Sequence, residues 1–489
     1  MNDWRKRSIQ EAEDYIRLHQ SDVKERYRPA FHASAPVGWI NDPNGLCWFR
    51  GMYHMFGQYH PYSAKWGPMH WGHWVSSDLL HWEWKGVAMA PDQDYDHAGV
   101  FSGTALVEGD TLVLMYTGVS EMQDGKLCQQ QCIARSTDGI HFVKDPANPV
   151  IRISDLPPDV PPRDFRDPKL FRTADGYRAI MAARNEQGGE ILVYSSPDLA
   201  EWKLEGRWAE GIGRMLECPD YHRIDGKDVL IFCVIGLPEE PGRFPCGHTA
   251  AYMTGKTKEN PVGFQAESFE AVDLGLNFYA PQALDGPDGC ILTAWLPGPS
   301  GIVPTDELGH QWAGVMALPR VLHVKDGKLI QEPVDEVRKL RGKKQCFREV
   351  LTECGSLQGK HERCSEWVMH LKADREVVLK FFKGEGPGFC VTWDPEADTL
   401  TVDRDGCGYD MSGKLPSKVT ANLGRKSGEI TLDLIVDNCI AELFVNGGER
   451  VMSASVYPKD ADDEWVLTSS GSCEAEVTCY DLSPQEKDI

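Results

Sequence analysis

The sequence predicts an all-β chain: a five-bladed β-propeller over residues 30-335, a β-sandwich over 346-489, and a short helical extension over 1-29. Three observations predict it. Short alternating or apolar runs fill residues 45-335, separated by Asp-Gly, Asn-Pro and Gly-rich turns, the pattern of strands joined by tight connections. Two interleaved repeats run through that stretch. The tail keeps the alternation and loses the repeat, so it folds as a second β unit.

Taken in order, the N-terminus comes first. Ile9, Ala12 and Ile16 share one helical face, which predicts a helix within residues 8-25 that packs on the propeller. The opening MNDWRKRSIQEAEDYIRLHQ has no apolar core of the kind a signal peptide needs. No stretch reaches the length of a membrane span.

In the first repeat, Ser77-Asp78, Thr137-Asp138 and Pro197-Asp198 recur every 60 residues, each followed four positions on by an aromatic, Trp82, Phe142 or Trp202. In the second, hairpin-like segments begin at Gly51, Gly109, Gly176, Gly226 and Gly289. Five copies of a four-stranded unit point to radial sheets around a central channel; a sandwich with chance similarity is the blander alternative. Residues 336-345, EVRKLRGKKQ, are basic and apolar-poor and read as a linker. EWVMHLKAD, GFCVTWD, EITLDLIVD and the Asn446-Gly447 turn then predict the sandwich.

Charge narrows the partners. With 74 acidic against 51 basic residues the net charge is −23, which repels nucleic acid and anionic membranes and leaves a small neutral ligand. Fifteen Trp fit β-rich cores or flat sugar faces. Fifteen Cys, an odd number without a framework, suit reduced thiols and a cytoplasmic location. Cys128 and Cys132 lack the second pair that a zinc site needs, and His54, His60, His70, His73 and His81 show no ligand spacing. No metal and no cofactor are therefore expected. Composition leaves the oligomeric state open.

The second repeat also locates chemistry. Nine positions before Gly51, Gly176 and Gly226 stand Asp42, Asp167 and Glu217; the same offset gives Val100 and Ala280 in the other copies. Equivalent positions of a propeller converge on its axis, so three carboxyls are expected in one funnel, each just before a second strand. Asp42-Pro43 and Asp167-Pro168 taken singly read as turn acids, whereas Glu217 is a poor turn residue. Calcium ligation is a further reading, but no run of ligands at alternate loop positions appears. Clustered carboxyls suit glycoside hydrolysis: one attacks the anomeric carbon while another, kept protonated, serves the leaving oxygen.

At these positions the chain resembles glycoside hydrolase family 32, the invertase and β-fructofuranosidase family. Trp39-Ile40-Asn41-Asp42-Pro43-Asn44-Gly45 resembles its nucleophile motif, Phe165-Arg166-Asp167-Pro168 its Arg-Asp-Pro motif, and Glu217-Cys218-Pro219 its acid/base motif. Phe101-Ser102-Gly103-Thr104 and GQYHPYSAKWGPMHWGHWVSSDLLHW also match. The resemblance covers roughly residues 30-335 and, more weakly, the sandwich.

It implies a propeller plus sandwich, a retaining mechanism and no cofactor. Asp42 would be the nucleophile, Glu217 the acid/base, and Asp167 with Arg166 the grip on fructose hydroxyls. Asn41, Gln58, Trp66, Phe101, Ser102, Tyr279 and Trp295 would line the sugar pocket. The implied ligand is a small fructose-containing sugar: sucrose, its 6-phosphate or a short fructo-oligosaccharide. The N-terminal helix and PYSAKWGPMHWGH are most like the bacterial intracellular branch that acts on phosphorylated sucrose. A fructosyltransferase using the same intermediate, or a sugar-binding propeller without catalysis, are the alternatives. Leu216, Gly57 and Asn277 depart from residues frequent in the family, as does EEPGRFPCGHTAAYM; these departures are expected on the leaving-group rim.

Overall fold

The computed structural model describes residues 4–244, 247–296, 303–353, 355–409 and 416–483. The fold is nearly all strand, as the alternation predicts. The one longer helix, α1 (Ile9–His19), opens on a capping box: Ser8 Oγ accepts from Glu11 N–H while Glu11 Oε2 accepts from Ser8 N–H. Ala12 and Ile16 are buried, and α1 lies against strand Glu83–Met89. It is shorter than the expected 8-25. Beyond His19, Gln-Ser-Asp form a single 3₁₀ turn, in keeping with the tendency of Ser and Asp side chains to compete for backbone hydrogen bonds.

Five sheets of four or five strands follow, each made mainly from consecutive segments. Their first strands are β1 (Gly38–Phe49), β2 (Gly99–Glu108), β3 (Phe165–Thr173), β4 (Met215–Ile224) and β5 (Tyr279–Gly286). β1 touches β2, β2 touches β3, and so on to β5, which touches β1 again. The cores close the same cycle. Phe56 and Trp71 of the first sheet pack with Leu112 and Leu114 of the second; Met115 meets Leu170 of the third. Ile180 meets Phe232 of the fourth, Ile231 meets Leu292 of the fifth, and Ile291 returns to Tyr53 of the first. Trp312–Ala313 adds a short parallel strand to Gly38–Trp39, so a late segment completes the first sheet.

The Ser/Thr/Pro-Asp repeat is a turn. Asp78 Oδ1 accepts from the backbone N–H groups of Leu80 and His81, Asp138 from those of Ile140 and His141, and Asp198 from those of Ala200 and Glu201. Each is an Asx turn joining the third strand of a sheet to its fourth.

Residues 336-345, expected as linker, are structured. Asp335–Leu340 is a 3₁₀ turn that buries Val337 and Leu340. Arg341–Leu351 is then an edge strand of a six-stranded sheet. A second six-stranded sheet faces it, and Trp367, Phe381 and Trp465 interlock between them, with Trp367 4.8 Å from each of the other two rings.

Charge binds this unit to the cycle. Arg320, fully buried, lies 3.1 Å from Asp273 and 3.2 Å from Glu442, and His32 lies 2.8 Å from Asp437. Asn277 belongs here too: its Oδ1 accepts from Arg404 Nη1 at 2.5 Å and from Ser455 N–H. Its departure from the family pattern therefore concerns the junction of the two units and not a rim. Leu216 is fully buried between the third and fourth sheets. A Cβ on Gly57 would meet Met316 Cε at 2.8 Å, so that position too is internal. EEPGRFPCGHTAAYM includes residues 245 and 246, outside those described.

Candidate active site

All five first strands break register near their beginnings. Pairing skips between Ile40 and Pro43 in β1, Phe101 and Gly103 in β2, Arg166 and Lys169 in β3, Glu217 and Asp220 in β4, and Tyr279 and Gln282 in β5. A bulge frees its residues from the ladder and re-aims their side chains. Asp167, Cys218 and Ala280 adopt left-handed backbone there, with φ of 61°, 47° and 51°, and each precedes a proline.

The common position is thus the bulge and not a fixed count from a hairpin glycine. Asp42 and Asp167 occupy it directly, both before proline, whereas Glu217 stands one residue earlier, level with Arg166 and Tyr279. The nine-residue count hid this slip because β1 carries a second bulge between Asn44 and Cys47, and because Gly176 pairs with Thr173 whereas Gly51 and Gly226 stand in their turns. The same correction moves the second-sheet position from Val100, which is fully buried, to Ser102. The acids lie within first strands, not just ahead of second ones.

One hydrogen-bonded network gathers them. Asp42 Oδ2 accepts from Ser102 Oγ at 2.6 Å and Asp42 Oδ1 from Asn41 Nδ2 at 3.0 Å. Gln58 Nε2 donates to Ser102 Oγ at 2.6 Å, and Trp39 Nε1 fixes Asn41 at 2.8 Å. Glu217 is held from both sides: Arg166 Nη2 reaches Oε1 at 2.7 Å, and Tyr279 OH reaches Oε2 at 2.6 Å. Asp167 Oδ2 accepts from Cys218 N–H at 2.9 Å and lies 3.8 Å from Arg166 Nε. Its own N–H donates to Thr117 Oγ1. The Glu217 side chain is 21% exposed against 6% for Asp167, so Glu217 is the more open to solvent.

Burial sets the electrostatics. It pushes the Asp167 carboxyl up to about 7 against the pull of Arg166, with Glu217 and Asp42 adding to the rise. Burial also raises Asp42, while Ser102 and Asn41 oppose that rise. For Arg166, burial works against the charge, but Glu217 and Asp167 overrule it and hold the guanidinium above its ordinary range. Burial, then the charges of Asp42 and Asp167, lift the Cys218 thiol well above the usual value, which makes it a poor nucleophile. Its Sγ lies 3.5 Å from Asp42 and 3.7 Å from Asp167. Cys218 therefore serves those two acids, where the sequence suggested tuning of Glu217.

The remaining expected residues spread outward. Phe101 lies edge-on to Trp66 at 6.0 Å, and Trp66 is 47% exposed. Trp295 is buried, packed at 5.6 Å against Trp39, with its Nε1 lacking a hydrogen-bond partner among the described residues. Gln129 was not foreseen: its Oε1 accepts from Phe165 N–H and, at 3.4 Å, from Arg166 Nη1. No motif marks it, and only the adjacency of the second and third sheets brings it there. Below the acids, Pro43, Pro168, Pro219, Pro281 and Gly103 line a void of about 10 Å³, room for one water at most.

Known proteins resemble this chain in sequence and fold. Residues 32–333 match the model of the glycosyl hydrolases family 32 N-terminal domain, and residues 336–482 that of the family's C-terminal region. A raffinose invertase of Escherichia coli is 35% identical over 446 residues, covering 88% of this chain and 90% of that one. A sucrose-6-phosphate hydrolase of the same organism is 32% identical over 468 residues, covering 93% and 94%. The solved structure of a sucrose-6-phosphate hydrolase from Lactobacillus gasseri has a TM-score of 0.87 at 26% identity, covering 96% of each chain.

Proposed function

Since the chain belongs to glycosyl hydrolase family 32, we propose that it is a retaining β-fructofuranosidase releasing terminal fructosyl units from small sugars, with Asp42 and Glu217 as its catalytic pair. The single observation that carries the assignment of roles is the difference in how the three acids are held. Asp42 accepts two short hydrogen bonds from neutral donors, which orient it without neutralising it, as a nucleophile requires. Glu217, the more open, bridges Arg166 and Tyr279, as suits a group that must reach first the leaving oxygen and then water. Asp167 and Arg166 remain to grip fructose hydroxyls.

In the first step Asp42 attacks C2 of fructose while Glu217 gives its proton to the departing oxygen. In the second, Glu217 takes a proton from water, which releases fructose from Asp42 with net retention. We read the cycle of five sheets as a five-bladed propeller with this pocket on its axis, residues 30-335, and residues 341–482 as the sandwich.

The relatives named for sucrose 6-phosphate and raffinose point to sucrose, its 6-phosphate or short fructo-oligosaccharides as substrates. Every described cysteine is free, which fits a reducing cytoplasm. Release of reducing fructose from sucrose, its 6-phosphate, kestose and inulobiose tests the reading. Wild type should act on at least one and Asp42→Ala on none; equal rates for the two would overturn it.

A further inference from the structure

A second cluster of ionisable side chains lies away from the pocket. Asp285 and Cys290 face each other across the hairpin of the fifth sheet. His222, on β4 of the fourth sheet, meets them there, and the three candidate ligand atoms lie within 4.8 Å of one another. His222 is five residues along β4 from Glu217, roughly 15 Å at strand rise, so this is not part of the sugar pocket.

The imidazole is set up from behind. His222 Nε2 lies 3.1 Å from Asp220 Oδ1, an oxygen that also takes Lys169 Nζ at 2.5 Å. Asp220 Oδ2 accepts from Ala283 N–H, and Lys169 Nζ also lies 3.1 Å from His222 Nε2. With Nε2 turned to the Asp220 carboxyl, Nδ1 is the ring nitrogen that faces Asp285 and Cys290. That nitrogen is buried and has no hydrogen-bond partner among the described residues, although Asp285 Oδ2 is 3.1 Å away. Ligands sharing one ion with bonds of about 2.0–2.3 Å sit roughly 3–4 Å apart. A carboxylate behind a histidine is the arrangement that orients a metal-binding imidazole.

We propose that His222, Asp285 and Cys290 bind one borderline-soft divalent cation, zinc above all, with solvent in the fourth position. Imidazole, thiolate and carboxylate together select such an ion over calcium or magnesium. The Asp285 side chain is 70% exposed and gives the ion its entry path. As the sulfur–metal bond forms, the Cys290 thiol proton leaves to solvent; nothing is oxidised or reduced. The bound ion ties β4 to the neighbouring hairpin and so staples two adjacent sheets, apart from the fructoside chemistry.

Cobalt(II) titration of the full, chelator-treated chain tests this. One equivalent should develop a thiolate-to-cobalt charge-transfer band that zinc displaces, and zinc should raise the Tm. Cys290→Ser should abolish the band, and Asp285→Asn and His222→Gln should each weaken binding at least tenfold, all with fructose release unchanged. Absence of the band in the wild type, or an equal band in Cys290→Ser, would overturn the proposal. So would an equal zinc-induced Tm rise in Asp285→Asn, whose exposed position keeps that variant folded.

Discussion

Asp167→Asn is the most informative substitution. Asparagine keeps the shape and tolerates left-handed backbone, which position 167 requires with φ at 61°. It removes one charge. If Asp167 must be ionised to accept fructose hydroxyls, kcat/KM of the wild type falls as pH drops through about 7, the value to which burial raises this carboxyl in the empty pocket. Hydroxyls donating to the carboxylate favour its charged form, so the matching limb of kcat lies at lower pH. Losing one charge-assisted hydrogen bond costs about 1.5–3 kcal/mol, or roughly ten- to 160-fold in plateau kcat/KM at about 1.36 kcal/mol per decade. In Asp167→Asn the limb near 7 disappears and only the Asp42 limb remains. Binding supplies an independent reading. At pH 7 a carboxyl half protonated in the free enzyme releases about half a proton when fructose binds, measurable by calorimetry in buffers of different ionisation enthalpy. A limb that stays near 7 in Asp167→Asn, or proton release equal to the wild type, would refute the reasoning.

Three other substitutions probe the neighbours. Ser102→Ala removes the 2.6 Å donor to Asp42 that opposes its raised pKa; initial rates across pH should show the acid limb displaced upward and kcat/KM down roughly tenfold or more. Glu217→Asp shortens the acid by one methylene and pulls it from Arg166 and Tyr279. A misplacement of about 1 Å costs on the order of 10², so sucrose hydrolysis should fall by about that much, while a fructoside with a phenolate leaving group, which needs little acid help, should lose far less. Arg320→Met strands Asp273 and Glu442, both fully buried, at a cost of about 3–5 kcal/mol; scanning calorimetry should show a Tm lower by several degrees with kcat little changed.

Legibility followed locality. Strand alternation, the Asx turns behind Asp78, Asp138 and Asp198, and the helix cap at Ser8 are short-range patterns, and the sequence shows each of them. The acid-bearing motifs were legible for the same reason, being runs of three to seven residues. The off-by-one position of Glu217 was not, because a second bulge in β1 and the differing place of the glycine in each hairpin alter the count without altering any hydrophobic pattern. Arg341–Leu351 was missed as a strand because its side chains are mostly exposed and charged, as edge strands tolerate. The junction formed by His32, Asp273, Asn277, Arg320, Arg404, Asp437 and Glu442 joins positions hundreds of residues apart, and no local signal announces such pairings. Gln129 behind Arg166 was hidden in the same way.

The slip at Glu217 carries chemical meaning. Each bulge adjoins two consecutive side chains of the site, so the five first strands offer two levels around it. Asn41, Phe101, Arg166, Glu217 and Tyr279 form one; Asp42, Ser102, Asp167, Cys218 and Ala280 form the other. The two groups that hold Glu217 come from its own level, on the sheets to either side. Of the residues that touch Asp42, Ser102 and Cys218 belong to its level, and only Asn41 comes from the other. Glu217 thus stands beside a cation and a phenol, while Asp42 and Asp167 share the other level with hydroxyl, thiol and backbone donors. Arg166 lies 2.7 Å from Glu217 and 3.8 Å from Asp167, while the hydrogen bonds to Asp42 come from the neutral donors Ser102 and Asn41. On the proposed roles, displacing one acid by a single residue separates the group that exchanges a proton with solvent from the group that stays charged next to carbon.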